Sequence, residues 1–152
     1  MRSFQGWLAI GFLALGGCAS TPQATPQRDA ETKRFVAEPG FAAIYIYRPD
    51  VVTLELDDSV LYVDERMLGA TLPGTFFRVD VQPGKYIVSS SAAGSTRLDV
   101  DARPGELYFV QLSVMSGNSR LALVEPAAAK RAILKCCALM ENWAPAQRPV
   151  LR

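Results

Sequence analysis

Not one of the 152 residues is histidine. That absence removes the Ser-His-Asp and Cys-His catalytic arrangements, the usual zinc ligands and the commonest general base near neutral pH. An excess of charge of one sign is also missing: 16 Lys and Arg stand against 15 Asp and Glu. The basic pairs Lys33-Arg34 and Lys130-Arg131 are isolated. A chain so balanced carries no electrostatic footprint for nucleic acid or another acidic polymer. Cysteine occurs three times, at positions 18, 136 and 137. Without histidine, that set does not supply a metal site or call for a cofactor. Asp57-Asp58 and Asp64-Glu65 lack the spacing of a calcium loop and read as solvated loop. Asp99 and Asp101, two apart on a strand, read as the wet side of a sheet. Ser89-Ser90-Ser91 has neither a partner base nor a Gly-x-Ser-x-Gly setting, and reads as an exposed strand end. No catalytic residue is assigned.

Long apolar runs are lacking too. The best, Trp7 to Leu15, is interrupted at Gly11 and stops at Gly16-Gly17, short of the roughly 20 residues of a membrane-spanning helix. With Arg2 ahead of it and small residues after it, this run matches a secretory leader; a retained transmembrane helix is the alternative. Leu15-Gly16-Gly17-Cys18 resembles a bacterial lipobox, in which the Cys18 thiol takes a diacylglyceryl group and becomes the first residue of the mature protein. Several acyl chains anchor where one binds only reversibly, at about 0.8 kcal/mol per buried CH₂. Ala19-Ser20 follow in place of the Asp that, in the Gram-negative pattern, retains lipoproteins at the inner membrane. The expected address is therefore the outer membrane, with the domain facing the periplasm.

Loss of residues 1–17 leaves 135 of the 152, enough for one domain with a real core. Residues 18–39, rich in Ser, Thr, Pro, Gln and charge, read as a tether, with a short helix permitted over Asp29 to Val36. Residues 40–143 read as the folded domain and 144–152 as a loose tail. Strands are expected at Phe41–Arg48, Val60–Asp64, Met67–Leu72, Phe76–Val81, Tyr86–Ser91, Thr96–Asp101, Leu107–Met115 and Leu121–Val124, with Val51–Leu56 a weaker strand or an edge segment. The longest apolar strand, Leu107–Met115, is expected to be central. Pro83-Gly84 and Pro104-Gly105 read as hairpin turns, and Gly69 as a bulge or close approach. From Pro126 the period changes to that of a helix, with Ala129, Ile133, Cys136 or Cys137, and Met140 on one face. The fold class is mainly β: an antiparallel sandwich or barrel of seven to eight short strands with one C-terminal helix.

Three stretches form a recognisable set: Ala43-Ile-Tyr-Ile-Tyr-Arg-Pro49; Val63-Asp-Glu-Arg-Met-Leu-Gly69 with Thr75-Phe-Phe77 and Gln82-Pro-Gly-Lys85; and Pro104-Gly-Glu-Leu-Tyr-Phe-Val110. With the lipobox they resemble the bacterial lipoprotein family catalogued as domain of unknown function 2846. Val63 to Val114 is also similar to PEGA-type β-modules, although Glu65 stands where those place Gly after Asp. The resemblance implies a fold and an address and assigns no catalytic residue.

Two local features remain. Adjacent cysteines in a helix point about 100° apart, so Cys136 and Cys137 read first as structural thiols, one in the core and one half-exposed. A vicinal or intermolecular disulfide is the alternative. Arg48 reads first as a salt-bridge partner; if the domain holds a small ligand, Tyr45, Tyr47 and Arg48 are its expected site. The functional expectation is a non-enzymatic β-domain, held to the membrane through Cys18, that binds an envelope protein. A module for glycan or peptidoglycan fragments is the alternative, and a hydrolase the third.

Overall fold

The computed structural model describes residues 21–50, 59–91, 97–115 and 118–141. The leader, Cys18, the weaker strand or edge segment expected at Val51–Leu56, Asp57-Asp58 and the tail at 144–152 lie outside the described residues. The chain runs α1 (Pro26–Thr32), β1 (Ala42–Arg48), β2 (Ser59–Val63), β3 (Arg66–Thr71), β4 (Thr75–Val81), β5 (Gly84–Ser90), β6 (Arg97–Ala102), β7 (Leu107–Met115), β8 (Asn118–Leu123), α2 (Pro126–Cys136) and the two-residue β9 (Ala138–Leu139). The strands form two sheets, ordered β8-β7-β1-β4-β9 and β3-β2-β5-β6. The fold is therefore mainly β, with eight short strands, a minimal ninth and a C-terminal helix among the described residues. In the larger sheet β1 is central and β7 its neighbour. The pairings β1–β7 and β4–β9 are parallel and the rest antiparallel, a mixture the alternation of residues does not announce.

The main core lies between the sheets. Ile44, Ile46, Phe77, Val79, Val110 and Leu112 from the larger sheet meet Leu61, Val63, Tyr86, Val88 and Val100 from the smaller. Burial of each large apolar side chain contributes about 1.5–3 kcal/mol. The smaller sheet alternates as a half-wet sheet should, with Asp99 and Asp101 exposed and Val100 buried. The larger sheet does not. Every residue of β1 is buried, because its other face is roofed by α1 and α2, and its unbroken apolar run is the mark of a strand covered on both sides. Phe76 points away from the sandwich interior, into this second core and not into solvent.

The Pro-Gly pairs have a different role from the one expected. Pro73-Gly74, Pro83-Gly84 and Pro104-Gly105 each carry the chain from one sheet to the other, between β3 and β4, β4 and β5, and β6 and β7. None closes a hairpin. Proline fixes φ near −65° at the first central position of the turn, whereas tight hairpins need the primed turns, with φ > 0 there; unprimed turns splay the strands. That splay is what a crossing between packed sheets requires.

The hairpin between β2 and β3 uses Asp64 and Glu65, at φ 47° and 66°, the left-handed pair of a type I′ turn. Asp64 fits because its Oδ1 accepts from Ile87 N at 2.8 Å and its N–H donates to Ile87 O at 3.0 Å. Glu65 has no such compensation among its described contacts. A left-handed residue with a Cβ costs roughly 1–2 kcal/mol, while glycine adds unfolded-state entropy of roughly 0.5–1 kcal/mol. Glu65→Gly is therefore expected to raise stability by about 0.5–1 kcal/mol, seen in urea denaturation as a higher midpoint at unchanged slope. A lower midpoint would refute the turn assignment.

Candidate functional site

Both roofing helices are built by their caps. Thr25 Oγ1 accepts from Arg28 N at 3.4 Å, Pro26 occupies the first turn of α1 and Asp29 adds a carboxylate there. Glu125 caps α2, its two carboxylate oxygens accepting from Ala127 N and Ala128 N at 2.9 Å each. Those two backbone N–H groups hold its carboxyl below the usual glutamate value. Pro126 and an alanine-rich turn follow, and Ala129 and Ile133 face the sheet.

Beneath the helices lies an aromatic cluster. Tyr45 stacks on Phe109 at 5.1 Å between ring centroids and on Phe76 at 6.2 Å, and Phe35 closes on Tyr45 at 5.4 Å. Cations sit over these rings: Lys130 over Phe35 and Phe109, Lys33 over Phe76 and Arg78 over Tyr45, at 5.6–5.9 Å. The Tyr45 hydroxyl donates to Thr32 O at 3.0 Å and so pins the end of α1 to the sheet. Burial pushes Tyr45 up to about 12, against the opposing pull of Arg78. Burial by itself would lower Arg78; its hydrogen bonds to Asp80, at 2.7 and 3.0 Å, leave it above its ordinary value.

Cys136 and Cys137 are joined as a vicinal disulfide. The objection that adjacent helical residues point apart does not apply, because α2 ends at Cys136 and Cys137 is already extended, at φ −118° and ψ 137°. The same break corrects the expected apolar stripe: Met140 lies beyond the helix, bridged to Gln23. Cys137 is buried and Cys136 half-buried. Together they line an open cleft of about 370 Å³ between α1 and the end of α2, with Gln23, Asp29, Lys33 and Lys135 among the other walls. Lys33 Nζ pairs with Asp29 Oδ2 at 2.7 Å. The cleft thus presents a disulfide sulfur, two ammonium groups and one carboxylate.

The residues expected to bind a ligand are brought only partly together. Tyr45 belongs to the aromatic cluster and is fully buried. Tyr47 donates to Gln111 Oε1 at 3.0 Å, and Arg48 Nη1 donates to Thr71 O across the sandwich at 3.3 Å. Arg48 and Gln111 line a largely apolar cavity of about 200 Å³ with Pro49, Pro73, Leu112 and Met115. Ser90, far from being exposed, is buried and hydrogen-bonded to Ser119. Among the described residues no group of His, Cys, Asp and Glu is placed to hold a metal ion, and no helix is long and apolar enough to cross a membrane.

Sequence reasoning left one contact unassigned. Thr21 Oγ1 accepts from Ala70 N on β3 at 2.9 Å. A Cβ on Gly69 would stand 2.5 Å from that same oxygen. The close approach legible at Gly69 is thus the seat of the N-terminal segment. Pro22 O then accepts from Glu141 N, and Ala24 N donates to Leu139 O, each at 2.8 Å. Asp29 Oδ1 accepts from Leu139 N at 2.8 Å, and Arg28 pairs with Glu141 at 3.1 Å. Of the stretch read as a tether, residues 21–36 are laid along the domain, and its helix spans Pro26–Thr32 where Asp29 to Val36 was expected.

A tyrosine raised in the fold favours folding fully below its unfolded value near 10 and loses that contribution as pH climbs through its folded value. The fold is expected to weaken between pH 10 and about 12. Burial also raises Tyr47, Tyr86 and Tyr108, so Tyr45→Phe should reduce this alkaline loss without abolishing it. At pH 7 it should cost about 1 kcal/mol for the lost bond to Thr32. Denaturant midpoints at pH 7, 10 and 11.5 check both; an unchanged alkaline slope would refute the assignment.

No solved structure matches the chain. An "Uncharacterized protein" of Haemophilus influenzae is 29% identical over 129 residues, covering 81% of this chain and 76% of the relative. Residues 38–127, from just before β1 into the start of α2, match the family described as protein of unknown function DUF2846, and to that family the chain belongs.

Proposed function

We propose that this protein is a lipid-anchored, non-enzymatic β-domain of the Gram-negative envelope, held at the outer membrane through Cys18, facing the periplasm and binding a protein partner. The observation that carries the reading is the disulfide between Cys136 and Cys137. Such bonds persist in oxidising compartments such as the periplasm. It also accounts for two of the three cysteines and leaves Cys18, at the end of an apolar leader, as the remaining thiol. The Ala19-Ser20 pair favours the outer membrane over the inner. The Pro-Gly rhythm from Val63 to Val114 supports kinship with PEGA-type modules, here as a hairpin followed by crossings between sheets.

A protein partner is favoured over a glycan because carbohydrate recognition needs an aromatic platform. Tyr45, Tyr47 and Tyr86 are buried, and among the described residues Tyr62 is the one aromatic on the outer face of the smaller sheet. The absence of histidine from the whole chain weighs against hydrolase chemistry.

Cys18→Ala is expected to abolish incorporation of radiolabelled palmitate and to leave the precursor uncleaved. A variant that still fractionates as mature membrane protein would overturn the anchor. For the partner, photo-crosslinking in cells from Ile87, exposed on β5 in the smaller sheet, should capture one envelope protein reproducibly. Turnover of an envelope substrate by the purified domain would overturn the non-enzymatic reading.

A further inference from the structure

Residue 21 is fixed to the domain and residue 18 is the proposed lipid attachment, so the length of chain between them bounds the standoff. Two residues, Ala19 and Ser20, separate Cys18 from Thr21, and the three chain steps between them span at most about 10 Å. Thr21 is not free to swing: its hydroxyl oxygen holds Ala70 N, it fills the space left by the missing Cβ of Gly69, and the next residues pair with Leu139 and Glu141. The lipid is therefore delivered to one place on the domain, the outer edge of β3.

That edge combines a free strand side with exposed apolar side chains. β3 ends the smaller sheet, with one strand neighbour, β2. Met67 and Leu72 lie on either side of the Gly69-Ala70 seat, 61% and 46% exposed. Beside Met67, its register partner Tyr62 is half-buried on the same outer face. An exposed thioether, an exposed leucine and an amphipathic tyrosine within two or three residues of the anchoring point suit the boundary between headgroups and acyl chains.

We propose that β3 is a membrane-docking edge: the lipid on Cys18 lays the domain directly on the bilayer, with Met67 and Leu72 at the headgroup boundary and only three chain steps between lipid and domain. This inference rests on the lipidation reading and goes beyond it by setting the distance and orientation of the domain.

The test uses the full-length lipoprotein, purified from membranes and placed in phosphatidylethanolamine/phosphatidylglycerol vesicles. Trp143→Phe removes the tryptophan native to the mature chain, and a single tryptophan is introduced by Met67→Trp or, as control, Leu123→Trp. Leu123 is 52% exposed on β8, at the opposite edge of the larger sheet from β9. Bromine on the upper acyl carbons is expected to quench the tryptophan at 67 several-fold more than the one at 123. A ten-residue Gly-Ser insertion after Ser20 should leave that difference intact if the edge itself binds lipid, and abolish it if the short reach alone holds the domain down; either result supports docking. Intact mass reports the lipid separately. A lipidated protein with equal or no quenching at the two positions overturns the docking edge while the anchor stands. A protein that never acquires lipid overturns both.

Discussion

Tyr45, Phe76 and Phe109 make the larger sheet apolar on the face that a simple sandwich would leave wet. The fold's other unusual features follow from the need to cover it. α2 lies across the cluster with Ala129 and Ile133 inward, and α1 approaches from the other side, pinned through the Tyr45 hydroxyl. The chain leaving α2 must then return to the sheet, and it does so as β9, where Ala138 N and Met140 N donate to Gly74 O and Phe76 O. The disulfide stands at the corner between helix and strand. Remove the aromatic face and neither helix has an apolar surface to rest on, since helical propensity alone does not sustain segments of seven and eleven residues.

How legible this was in the sequence depends on whether the signal was local. β1 and β7 were readable within a residue, and α2 at its start though not at its end, because continuous apolar runs, Pro-initiated helices and alternating strands are properties of neighbours along the chain. So was Gly69, whose missing side chain could announce a close approach without naming Thr21. What escaped were relations between distant residues. Nothing in Pro83-Gly84 says which sheet the next strand joins, nor does Ala138-Leu139 reveal that two residues suffice for a parallel pairing with β4. The cysteines show the same limit: the spacing argument was sound for a helix, and the helix stops one residue too soon for it to apply.

The candidate site residues divide along the same line. Tyr45, Tyr47 and Arg48 were singled out as polar tips at a strand end, the usual place for a ligand on a half-exposed sheet. In the fold their polar atoms are turned to structural work, fastening a helix end, a neighbouring strand and the opposite sheet. The strand end is an exposed rim only where one face is bare, and the second core leaves β1 no bare face.

Hydrogen bonds between residues 22–24 and 139–141 close the described chain on itself. Mechanically, this makes the N-terminal segment a fuse. A pull along the chain from its N-terminal side reaches the Thr21 seat and the Gln23–Met140 bridge before it reaches the ladders of either sheet. A few isolated bonds at an edge yield one after another, at lower force than a ladder loaded all at once. Traction from that side would therefore peel this segment first, lengthening the chain there while both sheets stay folded.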